Sequence, residues 1–389
     1  MGNYELIATA TFGLESIVAR EIKKLGYSDV TVENSRVTFK GDESAICRSN
    51  LWLRSADRVF IKMGEFTALS FEELFERTKA LPWGDILPAN ANFPVEGKSI
   101  KSQLFSVPNC QAIVKKAIVE KMKQKYKKEW FEEDGPRYTI EIGLLRDVAT
   151  LTIDTSGAGL HKRGYRQVAN DAPLKETLAS AMVNLSFWYP DRLLLDPLCG
   201  SGTIPIEAAM IGLNMAPGLK REFASQKWPI IPDSMWSQAR EEAEAAIDKT
   251  RDFRILASDI DGNVLKIARR NAELAGVEDY ISFQTLPVAE IQSKKKYGCI
   301  ITNPPYGERL GDEKEVEALY REMGRTFKEL DSWSFYVMTS HEGFEKFFGR
   351  KADRKRKLYN GRIKVDYYQF YGPRPPRQES AKQEHEEME

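Results

Sequence analysis

The chain is poor in the residues that build metal cages and disulfide frameworks: its 389 residues include four cysteines and three histidines. Cys47, Cys110, Cys199 and Cys299 show no paired spacing, and His161, His341 and His385 stand far apart in the chain. Neither a zinc cluster nor a stapled fold is expected, and no metal is assigned. Long hydrophobic runs are missing too. No stretch approaches the ~18 apolar residues of a membrane span, and no leader-like pattern precedes Asn3-Tyr4-Glu5-Leu6. The cytoplasm is the expected compartment, with no membrane partner and no obligate protein partner evident.

Net charge is absent as well, with 57 basic residues against 57 acidic ones, yet the distribution is uneven. Seven lysines and one acid lie between Lys115 and Lys128, and eight basic residues and one acid between Arg350 and Lys364. An acidic tail after Gln378 masks them in the sum. A lysine-rich helix is often only a solvated face, so charge alone leaves nucleic acid open as a partner. The length allows roughly two to three domains.

What is present begins with Asn303-Pro304-Pro305-Tyr306-Gly307-Glu308-Arg309-Leu310, which follows a buried-strand pattern, Cys299-Ile300-Ile301-Thr302. The exocyclic amine of a nucleobase is a poor nucleophile, because its lone pair is delocalised into the ring. It must be held with its N–H bonds on acceptors, and the Asn303 side chain and the Pro304 carbonyl supply two. Prolines stiffen that edge and remove a competing donor. Tyr306 is placed to stack on the base, which contributes about 1–3 kcal/mol. The competing reading is a strand closed by a rigid Asn-Pro turn. Carbon-5 pyrimidine methylation would want a cysteine in this motif, where Tyr306 stands, and Cys299 reads as a small core residue.

A second segment, Leu193-Leu194-Leu195-Asp196-Pro197-Leu198-Cys199-Gly200-Ser201-Gly202-Thr203, is an apolar strand running into a glycine turn, and Ile204 to Met210 opens a helix. This is the first unit of a doubly wound sheet, whose ligand sits at the carboxyl ends of the strands. The turn lacks the Gly-Lys-Ser/Thr of a phosphate loop and the third glycine of a dinucleotide fingerprint. Asp196 at the strand end disfavours a pyrophosphate and favours a cation such as S-adenosylmethionine. The next strand, Arg254 to Asp261, ends in carboxylates. Asp259 is assigned to a ribose diol and Asp261 mostly to capping the helix that starts at Asn263. Asp196 and Asp259 lie 63 residues apart, against about 30 for a minimal strand-helix-strand unit. The excess, Gly212 to Arg254, reads as an insertion with an amphipathic helix near Met235 to Ile247.

These segments, together with Leu160-His161-Lys162-Arg163-Gly164-Tyr165-Arg166 and the following Ala172-Pro173-Leu174-Lys175-Glu176-Thr177-Leu178-Ala179, resemble the THUMP-domain class I methyltransferases. Within that group the likeness is to the bacterial 23S ribosomal RNA guanine-N2 methyltransferases, also grouped with N6-adenine-specific methylases. The resemblance spans nearly the whole chain. It implies a Rossmann-like seven-stranded α/β domain preceded by an α+β ferredoxin-like and THUMP region, with S-adenosyl-L-methionine as cofactor and ribosomal RNA as partner. On matching positions it implies cofactor contacts at Asp196, Cys199, Gly200, Gly202, Thr203, Asp259 and Ile260, and catalytic roles for Asn303, Pro304 and Tyr306. RNA contacts are expected at Lys98, Lys101, Lys115, Lys116, Lys162, Arg163, Arg166 and Arg309. One departure stands out: the stretch Ile281 to Val288 lacks the acid that often meets the cofactor adenine, leaving backbone groups or Gln284.

The expected organisation is a ferredoxin-like unit over 1–65, a THUMP domain over 66–156, a methyltransferase domain over 160–372 and a flexible acidic tail over 373–389. Strands are expected at Leu6–Ala10, Val30–Val32, Arg36–Phe39, Phe93–Glu96, Tyr138–Ile142 and Val148–Ile153. Helices are expected at Leu14–Leu25, Phe71–Ala80 and Cys110–Tyr126, and Asn360-Gly361 marks a terminal hairpin. Three rivals remain: N6-adenine methylation of RNA or DNA, a non-catalytic RNA-binding assembly factor, and, more distantly, an oxidoreductase.

Overall fold

The computed structural model describes residues 2–166, 174–307 and 313–376. Its first half carries β1 (Tyr4–Ala10), α1 (Glu15–Lys24), β2 (Val30–Glu33), β3 (Arg36–Gly41), α2 (Glu43–Trp52), β4 (Ala56–Thr67), α3 (Phe71–Ala80), β5 (Val95–Ile100), α4 (Val107–Tyr126), β6 (Ile140–Leu145) and β7 (Val148–Asp154). These seven strands form one sheet in the order β2-β3-β1-β4-β7-β6-β5. The run β1-α1-β2-β3-α2-β4 is the ferredoxin-like part. Strand β4 pairs antiparallel with β1 on one side and with β7 on the other, so one strand belongs to both parts.

The sequence pattern gave no sign of β4. Its register shifts between Lys62 and Gly64, and its burial runs through three consecutive buried residues, Val59 to Ile61, instead of alternating. A bulge of this kind erases the period-two signature. The residue-65 boundary expected between the first two units falls inside this strand.

The second half carries α5 (Glu176–Leu185), β8 (Leu194–Asp196), α6 (Thr203–Gly212), α7 (Asp233–Ala245), β9 (Ile255–Asp259), α8 (Gly262–Ala275), β10 (Ile281–Thr285), β11 (Cys299–Thr302), α9 (Glu313–Lys328), β12 (Ser334–Thr339), α10 (Phe344–Phe348), β13 (Arg354–Asn360) and β14 (Ile363–Phe370). The sheet order is β10-β9-β8-β11-β12-β14-β13, parallel through β12 and closed by the antiparallel β14 and β13. This is the expected seven-stranded α/β methyltransferase fold. All four residues of β11 and all six of β12 are buried, as strands covered on both faces must be.

The Gly212–Arg254 insertion docks the two halves together. Its Trp228 stacks on Tyr138 with ring centroids 4.3 Å apart and donates Nε1–H to the Arg137 carbonyl at 3.0 Å. From α7, Glu242 accepts from Arg48 of α2 at 2.9 Å. A single hydrophobic cluster consequently runs from Leu6 through to Tyr367.

Candidate active site

The carboxyl edge of the parallel sheet gathers three strand ends. Asp196 closes β8, Asp259 closes β9, and Asn303 follows β11, which lies directly against β8. Asp196 is 1% exposed. It accepts from Thr302 Oγ1 at 2.7 Å and from the Leu198 N–H at 3.3 Å. Burial pushes its carboxyl up to about 7; these hydrogen bonds pull it down and the neighbouring Asp259 raises it. A buried acid of this kind is a standing demand for a cation.

The glycine turn fits around that acid. Gly200 and Gly202 both take positive φ, +51° and +84°, and Gly202 caps α6 in the left-handed region. A Cβ at Gly202 would come within 3.1 Å of Ala268 Cβ on α8, so the close approach of α6 and α8 needs glycine. At Gly200 a Cβ would meet nothing within 4 Å, and the turn therefore borders open space. Asp259 holds this loop through Oδ2, which accepts from the Gly200 N–H at 3.0 Å, and through Oδ1, which accepts from the Asp261 N–H at 3.0 Å. Asp261 caps α8 by accepting from Asn263 N–H at 2.8 Å. Ile260 is 72% exposed beside these acids and offers an apolar surface to a ring. Gln284 on β10 is exposed. The two carboxylates, the open glycine turn and the exposed isoleucine suit a ligand that is cationic at one end and carries a ribose and a base. Cys199 is buried and its thiol is held well above the usual range by that burial and by the two aspartates. Cys299 is pushed up to about 12, chiefly by burial, so neither cysteine is a nucleophile.

At the acceptor motif, Pro304 is buried and Pro305 exposed. Tyr306 Oη donates to Asn303 Oδ1 at 2.5 Å. Tyr320 on α9 donates to the Pro305 carbonyl at 2.9 Å and bonds Thr339 Oγ1 at 2.8 Å, which anchors the proline edge from beneath. Thr302 and Tyr320 were both missed from the sequence. Tyr320 sits at helical spacing with Val316, Met323 and Phe327 on the buried face of α9, where nothing marks it as more than core.

Among the described residues, Glu313, Glu317 and His341 bring one ligand-capable atom each within 4.8 Å of one another. His341 Nδ1 already accepts from the Gly343 N–H at 3.1 Å.

The expected RNA contacts divide. Lys98, Lys101, Lys116 and Lys162 are exposed. Lys98 pairs with Glu141 at 2.5 Å on the surface. Lys115 turns inward instead: its Nζ lies 3.6 Å from the Phe93 ring centroid, donates to the Phe93 carbonyl at 3.0 Å and pairs with Glu133 at 2.7 Å. Arg163 is corrected outright. It is 3% exposed and pairs with the fully buried Glu207 of α6 at 3.4 Å. Tyr165 and Ser180 also donate to Glu207. Arg166 is likewise turned inward, onto Glu176 at 3.3 Å and onto Thr203 Oγ1, so it braces the glycine turn and the start of α5. These arginines lock the linker to the methyltransferase domain because a buried charge demands a partner. Arg309 lies outside the described residues.

Residues 163–369 match the family described as "RMKL-like, methyltransferase domain", residues 5–60 an RlmL ferredoxin-like domain and residues 68–154 a THUMP domain. The chain is 52% identical over 383 residues to the Bacillus subtilis (strain 168) protein named "Putative RNA methyltransferase YpsC", covering 98% of this chain and 99% of that one. Among solved structures it is similar to a "predicted N6-adenine-specific DNA methylase" from Listeria monocytogenes str. 4b F2365, with 54% identity, TM-score 0.92 and coverage of 96% of this chain and 97% of that one. It is also similar to SMU.472, "a putative methyltransferase complexed with SAH", with 48% identity, TM-score 0.92 and coverage of 97% and 100%.

Proposed function

Since the chain belongs to the RMKL-like methyltransferase family, we propose that it transfers a methyl group from S-adenosylmethionine to the exocyclic N2 of a guanine in large-subunit ribosomal RNA. The observation that carries this reading is the bond from Thr302 to Asp196. It ties the residue immediately before Asn303 to the acid at the donor strand, so donor and acceptor halves share one rigid edge.

S-adenosylmethionine supplies the methyl as a sulfonium. Asp196 and Asp259 would hold its positive and ribose ends, with Gly200, Gly202 and Ile260 around it. Asn303 and the Pro304 carbonyl accept the N–H bonds of the base amine and aim its lone pair at the methyl carbon. Base entry exchanges the Tyr306–Asn303 hydrogen bond for one from the amine and leaves the Tyr306 ring to stack. Near-attack alignment of this kind lowers a barrier by about 7–11 kcal/mol, so no strong general base is required. The sulfur–methyl bond would break as the nitrogen–methyl bond forms, neutral S-adenosylhomocysteine would leave, and the surplus proton of the methylated amine would pass to solvent. The 1–65 and 66–156 units deliver the RNA, with Lys98, Lys101 and Lys116 of the second unit and Lys162 of the methyltransferase unit as the phosphate contacts that remain exposed.

The name of the Listeria neighbour favours a second reading, the same chemistry on adenine N6. Radiolabelled methyl transfer to protein-free large-subunit ribosomal RNA and to duplex DNA in parallel, with digestion to nucleosides, decides between them. Label in N2-methylguanosine is expected. Label in N6-methyladenine would keep the site and replace the substrate, and no label in either would remove the naked-RNA form of the proposal.

A further inference from the structure

A cavity of about 580 Å³ lies between the N-terminal unit and the methyltransferase domain, away from the acids of the active site. Its floor comes from the amino-terminal edge of the catalytic sheet. Trp188, Tyr189 and Pro190 immediately precede β8, Arg251 precedes β9, and Ile211 lies in the last turn of α6 with Asn214 just beyond. Thr203, at the opposite end of α6, sits at the cofactor turn, and ten helical residues span about 15 Å. The cavity is therefore a separate place. Its other wall is made by α1 and α2, so whatever enters touches both halves of the protein.

The wall chemistry is lopsided. Arg20, Lys24, Arg48, Arg54 and Arg251 line the space against two acids, Glu21 and Glu242. Glu242 is spent on Arg48, and Arg251 is itself paired with Asp248 at 2.8 Å, so the wall's cations without an ion pair among the described residues are Arg20, Lys24 and Arg54. Glu21 is spent on the Arg54 and Ser55 backbone N–H groups, at 3.0 and 3.1 Å, and on the Ser55 hydroxyl at 2.7 Å. Arg54 is left in excess. It is 8% exposed, its Nη2 donates to the Met215 carbonyl at 2.6 Å, and its Nη1 has no partner among the described residues. Burial pulls this guanidinium down to about 10. Glu207 and Glu21 act on it through charge alone and no carboxylate among the described residues hydrogen-bonds it, so Nη1 is a buried donor still open to an anion. Arg20 and Lys24, one helical turn apart on α1, are exposed and have no ion-pair partner among the described residues. Beside these cations stand Trp52, whose buried Nε1 also lacks an acceptor, and Tyr189, 64% exposed. Cations and aromatic rings lining one space are the two halves of nucleotide recognition.

We propose that this cavity is a second ligand site, which takes a free mononucleotide with its phosphate toward Arg20, Lys24 and Arg54 and its base against Trp52 and Tyr189. Its volume falls within the roughly 300–1,000 Å³ of small-molecule pockets, which suits one nucleotide and not a strand. The ligand clamps α1 and α2 of the N-terminal unit to the loop before β8 in the methyltransferase domain.

The test is titration of the full chain with GMP, GDP, AMP, inorganic phosphate and a short oligoribonucleotide, followed by calorimetry and by tryptophan fluorescence, since Trp52 and Trp188 line the space. Saturable one-site binding of a nucleoside phosphate with Kd below about 1 mM is expected. The double variant Arg20→Ala with Lys24→Ala, and separately Tyr189→Ala, should each weaken it about tenfold or more, with S-adenosylmethionine affinity unchanged. All three residues are exposed, so the variants should fold. The proposal is overturned by no saturation up to about 10 mM, by unchanged binding in both variants, or by displacement with S-adenosylhomocysteine. Equal affinity for inorganic phosphate, or binding of the oligoribonucleotide alone, would also overturn it.

Discussion

The two seven-stranded sheets of this protein are built on opposite plans. The catalytic sheet is mostly parallel and its central strands β8, β11 and β12 are buried on both faces, so its side-chain chemistry is forced to the carboxyl ends of the strands, where Asp196, Asp259 and Asn303 gather. The N-terminal sheet is mostly antiparallel, with strands such as β2 lying largely in water, and its cations are spread over loops and helices. Several are already neutralised by nearby acids, as Lys115 is by Glu133, Lys123 by Glu129 and Lys125 by Asp85. A concentrated site should be fragile to one substitution, and a distributed surface should not.

The joint between the two sheets offers the largest test. Arg163→Ala leaves Glu207 buried and short of its cation, and should cost about 3–5 kcal/mol of stability in urea denaturation. A loss below about 1 kcal/mol would show that the linker clamp is incidental. Within the concentrated site, Asn303→Ala should lower turnover by about 10²–10³-fold while the denaturation midpoint stays in place. Unchanged turnover with normal cofactor binding would remove Asn303 from the mechanism.

Acidity supplies a third test. Asp196 is raised from 3.8 to about 7 in the folded chain. Its contribution to the ligand-free fold is fully present below the unfolded value and is lost as pH climbs through the folded one. A cationic cofactor rewards the ionised form, so its affinity should rise about tenfold between pH 6 and pH 8, a slope that Asp196→Asn should flatten in calorimetry. The smallest effect belongs to the distributed surface. Lys98→Glu with Lys116→Glu should weaken RNA binding by about tenfold or less and reduce its salt dependence. A complete loss would mean that the N-terminal contacts are as focused as the catalytic ones.

Legibility in the sequence followed the same division. The parallel core and its strand ends were readable because short apolar runs stopping on Asp-Pro-Leu-Cys-Gly or Asn-Pro-Pro-Tyr carry turn chemistry within a few adjacent residues. The assignment of Asp261 to a cap was also readable, from its place before a helical pattern. Strand β4 was not, because its bulge removes the alternation on which strand recognition depends. Arg163 and Arg166 were misread as RNA contacts for a different reason. A charged residue in a glycine-rich linker looks solvated until its partner is known, and Glu207 and Glu176 are distant in sequence and look like ordinary helix residues. The role of the insertion was invisible too, since stacking of Trp228 on Tyr138 is a long-range event with no local signature.

Strand β4 also bears on how this architecture can be cut and inherited. The ferredoxin-like match ends at residue 60 and the THUMP match begins at residue 68, yet Ala56–Thr67 is a continuous strand hydrogen-bonded on both flanks. A fragment ending at residue 60 would keep a stump of its last strand, and one starting at residue 68 would expose the whole edge of β7. Each fragment would carry a raw, adhesive border of unpaired backbone. The two matched segments thus share a single mechanical plate, and no cut before residue 154 leaves all seven of its strands whole.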